Sequence, residues 1–180
     1  MTTDEPTPAS SPSGPRRVGS RILDYGWLLG IAFLVFAADQ MAKAWIAANL
    51  LFGTYGENNG AIVVFPGFFY LVHVGNTGAA WSQFTGRSPF LAVLAVATLI
   101  AIFLWRHALG LRDTAAQVCF GLLCGGIAGN LMDRILHGHV IDFIDLHFGS
   151  YVYPTFNIAD SGICIGVALY LIRTIRSGKD

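Results

Sequence analysis

The chain is short of charge. Asp, Glu, Lys and Arg make up 12% of its 180 residues, against 54% hydrophobic ones, and the mean hydropathy is +0.57. So little charge excludes a soluble globular domain, in which charged residues make up about a quarter of the chain. The net charge is zero, which gives no reason to expect nucleic acid as a partner. Cysteine is scarce as well. Cys119, Cys124 and Cys164 are odd in number, lie inside apolar runs and have no metal-ligand spacing, so they read as small packing residues. There is no His-Glu-x-x-His pattern, and no strand precedes the Gly125-Gly126-Ile127-Ala128-Gly129 run. Neither a zinc-protease helix nor a nucleotide loop is indicated.

What the chain does have is length in its apolar stretches. A bilayer core of about 30 Å needs about 20 helical residues, and four segments qualify: Tyr25 to Trp45, Ser88 to Trp105, Thr114 to Met132 and Phe156 to Ile175. Ser88 and Pro89 resemble an N-cap followed by a first-turn proline, and Asp113 resembles the cap of the third span. The first span is read as a retained helix rather than a cleaved signal, because cleavage after Ala38 or Ala48 would place Phe36 or Ile46 where a small residue is needed. Residues 1–22, rich in Pro, Ser and Thr, are expected to form a disordered cytoplasmic tail. Residues 23–176 form one membrane domain, and 177–180 are a short end. The stretch from about 51 to 87 is broken by Gly, Pro and Asn, yet Ala61 to Val74 is rich in Val, Phe and Tyr, which predicts short strands or an interfacial platform. The expected fold is therefore an α-helical integral membrane protein, with four transmembrane helices and a small β-rich platform on one side.

Basic residues near span ends stay mostly cytoplasmic. With both termini inside, Arg16, Arg17, Arg21, Arg106, Arg112, Arg173, Arg176 and Lys179 are cytoplasmic, while Lys43, Arg87 and Arg134 are outside. Helical rise then carries Asp39 roughly 21 Å and Asp133 roughly 30 Å toward the outer face. Asn157 and Asp160 open the fourth span, and Asp142 lies in the outer connection. Asp39, Asn130, Asp133, Asp142, Asn157 and Asp160 thus share one layer. Asn130 and Asp133, like Asn157 and Asp160, are three apart and expected on one helix face. Ionisable groups in such a setting default to function.

Plainer roles stand beside this one. Asp39 and Lys43, four apart, could simply neutralise one another. Asp133 and Arg134 could be a helix end meeting headgroups, Asp145 reads as a solvated turn residue, and Asp160 could be a helix-start residue favoured by the macrodipole. Gly121, Gly125 and Gly129, four apart, suit close helix packing. His137, His139 and His147 in the outer connection leave a metal site conceivable. A Ser82–Lys43 pair would be an alternative nucleophilic site, and a proton- or ion-coupled transporter could also use intramembrane acids, although such sites favour the midplane between repeats.

Five motifs appear in one order: Asp39-Gln40-x-x-Lys43, Asn76-x-Gly78-Ala79-Ala80, Gly126-x-x-Gly129-Asn130-x-x-Asp133-Arg134, Val140-x-Asp142-Phe143 and Phe156-Asn157-x-Ala159-Asp160. In these the chain resembles the lipoprotein signal peptidases, the type II bacterial signal peptidases, from about Asp39 to Ile165. The resemblance implies an aspartyl endopeptidase of the bacterial inner membrane that cuts diacylglyceryl-modified prolipoproteins just before the lipidated cysteine. It implies that Asp142 and Asp160 are the catalytic dyad, and that Asn76, Gly78, Ala79, Asn130, Arg134 and Asn157 order the site or hold the peptide, with Asp39, Lys43 and Asp133 in support. No metal or cofactor is implied. The expected partners are the prolipoprotein and membrane lipids, with the enzyme a monomer.

Overall fold

The computed structural model describes residues 24–79 and 83–177. Four helices run through it: α1 (Gly26–Asn49), α2 (Ser88–Leu104), α3 (Thr114–His137) and α4 (Ile158–Ser177). α1, α3 and α4 are long and apolar enough to cross a membrane, and α2 is a shorter apolar helix. At 17 residues α2 spans roughly 25 Å. α3 lies at the centre, packed along α1 and α4 and against α2. The other helices turn large apolar side chains such as Phe33, Leu94 and Leu171 outward, as a lipid-facing surface requires.

Glycine makes the central packing possible. A Cβ at Gly125 would sit 2.6 Å from the Ala32 carbonyl oxygen of α1, and one at Gly121 would sit 2.9 Å from Ile31 Cβ. On the α4 side, Gly126 lies directly against the Ala159 carbonyl, and Gly166 faces the Cys119 carbonyl in return. Between lipid-solvated helices, van der Waals approach of this kind supplies much of the association energy. The packing role read from the four-residue glycine spacing is the one observed.

A four-stranded antiparallel sheet in the order β1-β2-β3-β4 sits at one end of the bundle. β1 (Ile62–Phe65) and β2 (Phe69–Asn76) lie in the segment expected to hold strands. β3 (Val140–Phe148) and β4 (Tyr151–Val152) do not: they occupy the connection between α3 and α4, which the sequence had suggested only as a loop. Asp142 is therefore a strand residue. The C-terminus of α1 meets the sheet through Ile46 and Leu50 against Ile141 and Phe143.

Three end signals need correction. Ser88 is the first residue of α2 rather than its cap. Arg87 occupies the cap position with no side-chain bond, and Ser88 Oγ is buried without a partner. α3 continues past Met132 to His137 and stops at Gly138, whose φ of +74° suits a left-handed C-cap. α4 begins at Ile158, so Asn157 stands before the helix rather than on its face. Asp113 does cap α3, accepting from the Ala116 N–H at 2.9 Å.

Candidate active site

The acidic layer sits where the helix ends meet β3. Asn157 and Asp160 cap the start of α4 reciprocally. The Asn157 side-chain oxygen accepts the Asp160 N–H at 2.9 Å, and Asp160 Oδ2 accepts the Asn157 N–H at 3.2 Å. This is the capping-box arrangement with Asp in place of Glu. The helix-start role for Asp160 is thus realised, and the cap is what aims the carboxylate. The three-residue spacing reflects a cap, not a shared helix face.

Asn157 also reaches β3. Its Nδ2 lies 2.8 Å from Asp142 Oδ1, 3.2 Å from Asn130 Oδ1 and 3.2 Å from the Ile141 carbonyl. One residue therefore holds both carboxylates, Asp142 by its side chain and Asp160 by its backbone. Asp142 Oδ2 accepts from Asn76 Nδ2 at 3.0 Å, and Asp160 Oδ1 accepts from Asn130 Nδ2 at 2.7 Å. Asp142 is 1% exposed, whereas Asp160 is half-buried. Burial pushes the Asp142 carboxyl from 3.8 up to about 7, and the neighbouring Asp160 charge adds to it. Donation by Asn76, the Lys43 charge and donation by Asn157 pull the other way. Near neutrality Asp142 is poised between acid and carboxylate.

Beneath the two acids lies a second, closed network. Lys43 Nζ donates to Asp39 Oδ2 at 2.7 Å, Asp133 Oδ2 at 2.8 Å and Asn130 Oδ1 at 3.1 Å. An ammonium has three protons, so Lys43 is saturated. Asp39 Oδ1 accepts the Ala159 N–H of α4 at 2.9 Å, and Asp133 Oδ2 accepts the Ile141 N–H of β3 at 3.0 Å. Asp39 and Lys43 do neutralise one another, but as part of a cluster that fixes the two backbone segments carrying Asp142 and Asp160. Asp133 is 1% exposed, so it is not a headgroup-level helix end. Leaving either buried carboxylate without its cation would cost about 3–5 kcal/mol. Gln40, given no role by the sequence reading, bridges Asp133 Oδ1 at 3.0 Å and Asp39 Oδ2 at 3.2 Å.

The loop after β2 closes one side. Asn76 Oδ1 accepts the Gly78 N–H at 2.9 Å, and Arg134 donates to the Gly78 carbonyl at 3.0 Å and the Asn130 carbonyl at 3.3 Å. A Cβ at Gly78 would stand 2.6 Å from the Gln83 carbonyl, so only glycine fits there. Ala79 donates its N–H to that same carbonyl at 2.7 Å. Arg134 is thus oriented by backbone carbonyls.

Two other candidates fall outside this site. Asp145 is fully buried on β3, 2.8 Å from His147 Nε2, and is not a solvated turn residue. His147 is engaged there, and among the described residues no three His, Cys, Asp or Glu side chains come together as a metal site. Ser82 lies outside the described residues, and the Lys43 it would need is already saturated.

The chain is similar to known proteins over most of its length. The sequence profile described as signal peptidase (SPase) II matches residues 31–176, which takes in all four helices almost entirely and the whole sheet. The chain belongs to the signal peptidase II family. It is therefore a peptidase, which displaces the transporter alternative. One relative in this family, a lipoprotein signal peptidase of Bacillus pumilus (strain SAFR-032), is 36% identical over 149 residues, covering 83% of this chain and 92% of the relative. Two solved structures of bacterial membrane enzymes superpose at TM-scores of 0.73 and 0.69. Both are 34% identical, covering 89% and 87% of this chain and 90% and 93% of theirs. With its long apolar helices, the chain is a bacterial membrane protein of this fold.

Proposed function

We propose that this signal peptidase II is an aspartic-type endopeptidase that removes the signal peptide from diacylglyceryl-modified prolipoproteins, cutting just before the lipidated cysteine. The observation that carries the reading is the double hold of Asn157 on Asp142 and Asp160, which keeps two carboxylates together in a largely buried place. Like charges so held cannot both ionise freely, so the pair shares one proton. With Asp142 raised to about 7, Asp142 is the protonated partner, and Asp160, backed by Asn130 and through it Lys43, is the ionised one.

Asp160 takes a proton from water as the oxygen attacks the scissile carbonyl carbon. Asp142 gives its proton to the carbonyl oxygen, forming a neutral tetrahedral diol with no covalent bond to the enzyme. Asp160 then passes its proton to the cysteine nitrogen while Asp142 recovers one from the diol, and the C–N bond breaks. Both acids return to their starting state. Asn76, Gly78, Ala79 and Arg134 lie beside the dyad, where an extended peptide backbone would find amide and guanidinium partners.

The substrate's diacylglyceryl cysteine would sit at headgroup level, with its signal helix in the bilayer. That requires the sheet end to face away from the cytoplasm, in the orientation the basic residues favour, with both termini inside. The direct test gives purified enzyme the same precursor with and without diacylglyceryl on its cysteine. Cleavage of the lipidated precursor alone, leaving that cysteine N-terminal, is expected. Equal cleavage of both, or a cut elsewhere, overturns the substrate assignment.

A further inference from the structure

Asp145 is the buried acid the mechanism does not use. It is 0% exposed and lies three residues beyond Asp142 on β3. Oδ2 pairs with His147 Nε2 at 2.8 Å, and Oδ1 is buried without a partner. His147, two residues on and on the same side, packs its ring 4.9 Å from Tyr70, which is the cross-strand partner of Asp145. Its backbone N–H donates to the Phe68 carbonyl at 2.8 Å. A carboxylate kept this dry is expensive and adds little net stability over an apolar replacement, but buried polar pairs of this kind do fix register.

Register matters here more than elsewhere in the sheet. Leu71 pairs with Ile144 and Val74 with Asp142, three steps on β2 against two on β3, so β2 carries an extra residue between Asp145 and Asp142. A bulge is where an antiparallel pairing slips or re-aims a side chain. A one-residue slip would turn Asp142 to the wrong face. The same stretch of β3 also sets Asn157: Phe143 and Ile144 both donate to the Phe156 carbonyl, at 3.1 and 2.8 Å, and Phe156 donates back to Ile144 at 3.1 Å.

We infer that the Asp145–His147 pair is a positioning device for the peptidase reaction, locking the register of β3 so that Asp142 faces Asn76, Asn157 and Asp160. The inference rests on the dyad reading above. In Asp145→Ala, kcat should fall about 10- to 100-fold with KM within about threefold, because the acid is misaimed while the peptide-holding loop is untouched. The ¹³C titration midpoint of the Asp142 carboxyl should move upward, since misaiming removes donation from Asn76 and Asn157. Asp145→Asn, which keeps an oxygen for His147, should restore kcat to within a few-fold. If Asp145→Ala does not fold, His147→Ala is read by the same three measurements. A folded variant with unchanged kcat and an unmoved midpoint overturns the inference. So does failure of both alanine variants to fold alongside a fully active Asp145→Asn, since the pair would then serve stability alone. Asp142→Asn in parallel separates the two readings: if it keeps turnover the dyad is wrong, while the Asp142 midpoint in Asp145→Ala still reports on register.

Discussion

Replacing Asp142 by Asn should kill the enzyme and stabilise the fold. The carboxyl is 1% exposed and raised from 3.8 to about 7, so the folded state holds a proton that the unfolded chain releases at about pH 4. Between pH 4 and 7 the native state binds more protons than the unfolded one, and stability must fall as pH rises through that window. A shift of roughly three units at 1.36 kcal/mol each sets a ceiling of about 4 kcal/mol on the destabilisation above pH 7. Asn removes it. Against this, one Asn nitrogen must face a donor, either Asn76 Nδ2 or Asn157 Nδ2, and the lost bond costs about 1–3 kcal/mol. The variant should thus be more stable than the parent by about 1–2 kcal/mol at pH 8, with no such gain at pH 4, while turnover drops by more than the roughly 10²- to 10⁴-fold typical of one acid–base group. Thermal unfolding in micelles at pH 4, 6 and 8, beside a cleavage assay on the same preparations, checks both halves. A stability difference independent of pH would refute the raised acid, and near-normal turnover would remove Asp142 from the dyad.

Gly129→Ala should lower activity at least tenfold and destabilise by about 1–3 kcal/mol, because its Cβ would stand 2.6 Å from Asp39 Oδ2, the carboxylate whose other oxygen caps Ala159; activity and Tm on one preparation check this. Turnover should survive metal chelators and Ser82→Ala, since a carboxylate pair activates water by itself; loss on chelation with recovery in zinc would bring His137, His139 and His147 back into question. Reporters fused after Gly19 and Ser177 should read cytoplasmic and a tag between Glu57 and Gly60 should read outside, and an inside reading for that tag in a complementing protein would reverse the orientation. Asp133→Asn should lose activity together with stability, because it leaves Lys43 one acceptor charge short and weakens the hold on the Ile141 N–H; full stability with no activity, alongside an Asp142→Asn that keeps turning over, would move Asp133 into the dyad in place of Asp142.

The helices were legible because membrane burial writes itself as length: 24 apolar-rich residues in α1 and in α3 leave little room for another reading. The acid layer was legible because helical rise converts sequence position into depth. Tertiary partners were not. The Asp39–Lys43 pair is visible at its four-residue spacing, but its third member, Asp133, is 90 residues away, and Gln40 becomes intelligible only between the two acids. β3 was missed because its first four residues are all buried, so the alternation that marks a half-exposed strand is absent. Without the strand, Asp142 and Asp145 look like two acids of a polar turn, when one meets Asn76 and Asn157 and the other meets His147. Ser88 misled because serine before proline signals a cap on average, whereas here the helix starts one residue earlier.

The central claim, that two carboxylates held by Asn157 perform the hydrolysis, is tested most directly by single-turnover cleavage of a lipidated precursor by purified Asp160→Asn. An Asn at 160 keeps an oxygen to accept from the Asn157 N–H and so preserves the cap of α4, leaving the fold in place while removing the group that takes the proton from water. A folded, membrane-inserted protein that binds the precursor and releases essentially no signal peptide is expected. Cleavage at a rate near that of the parent enzyme would contradict it.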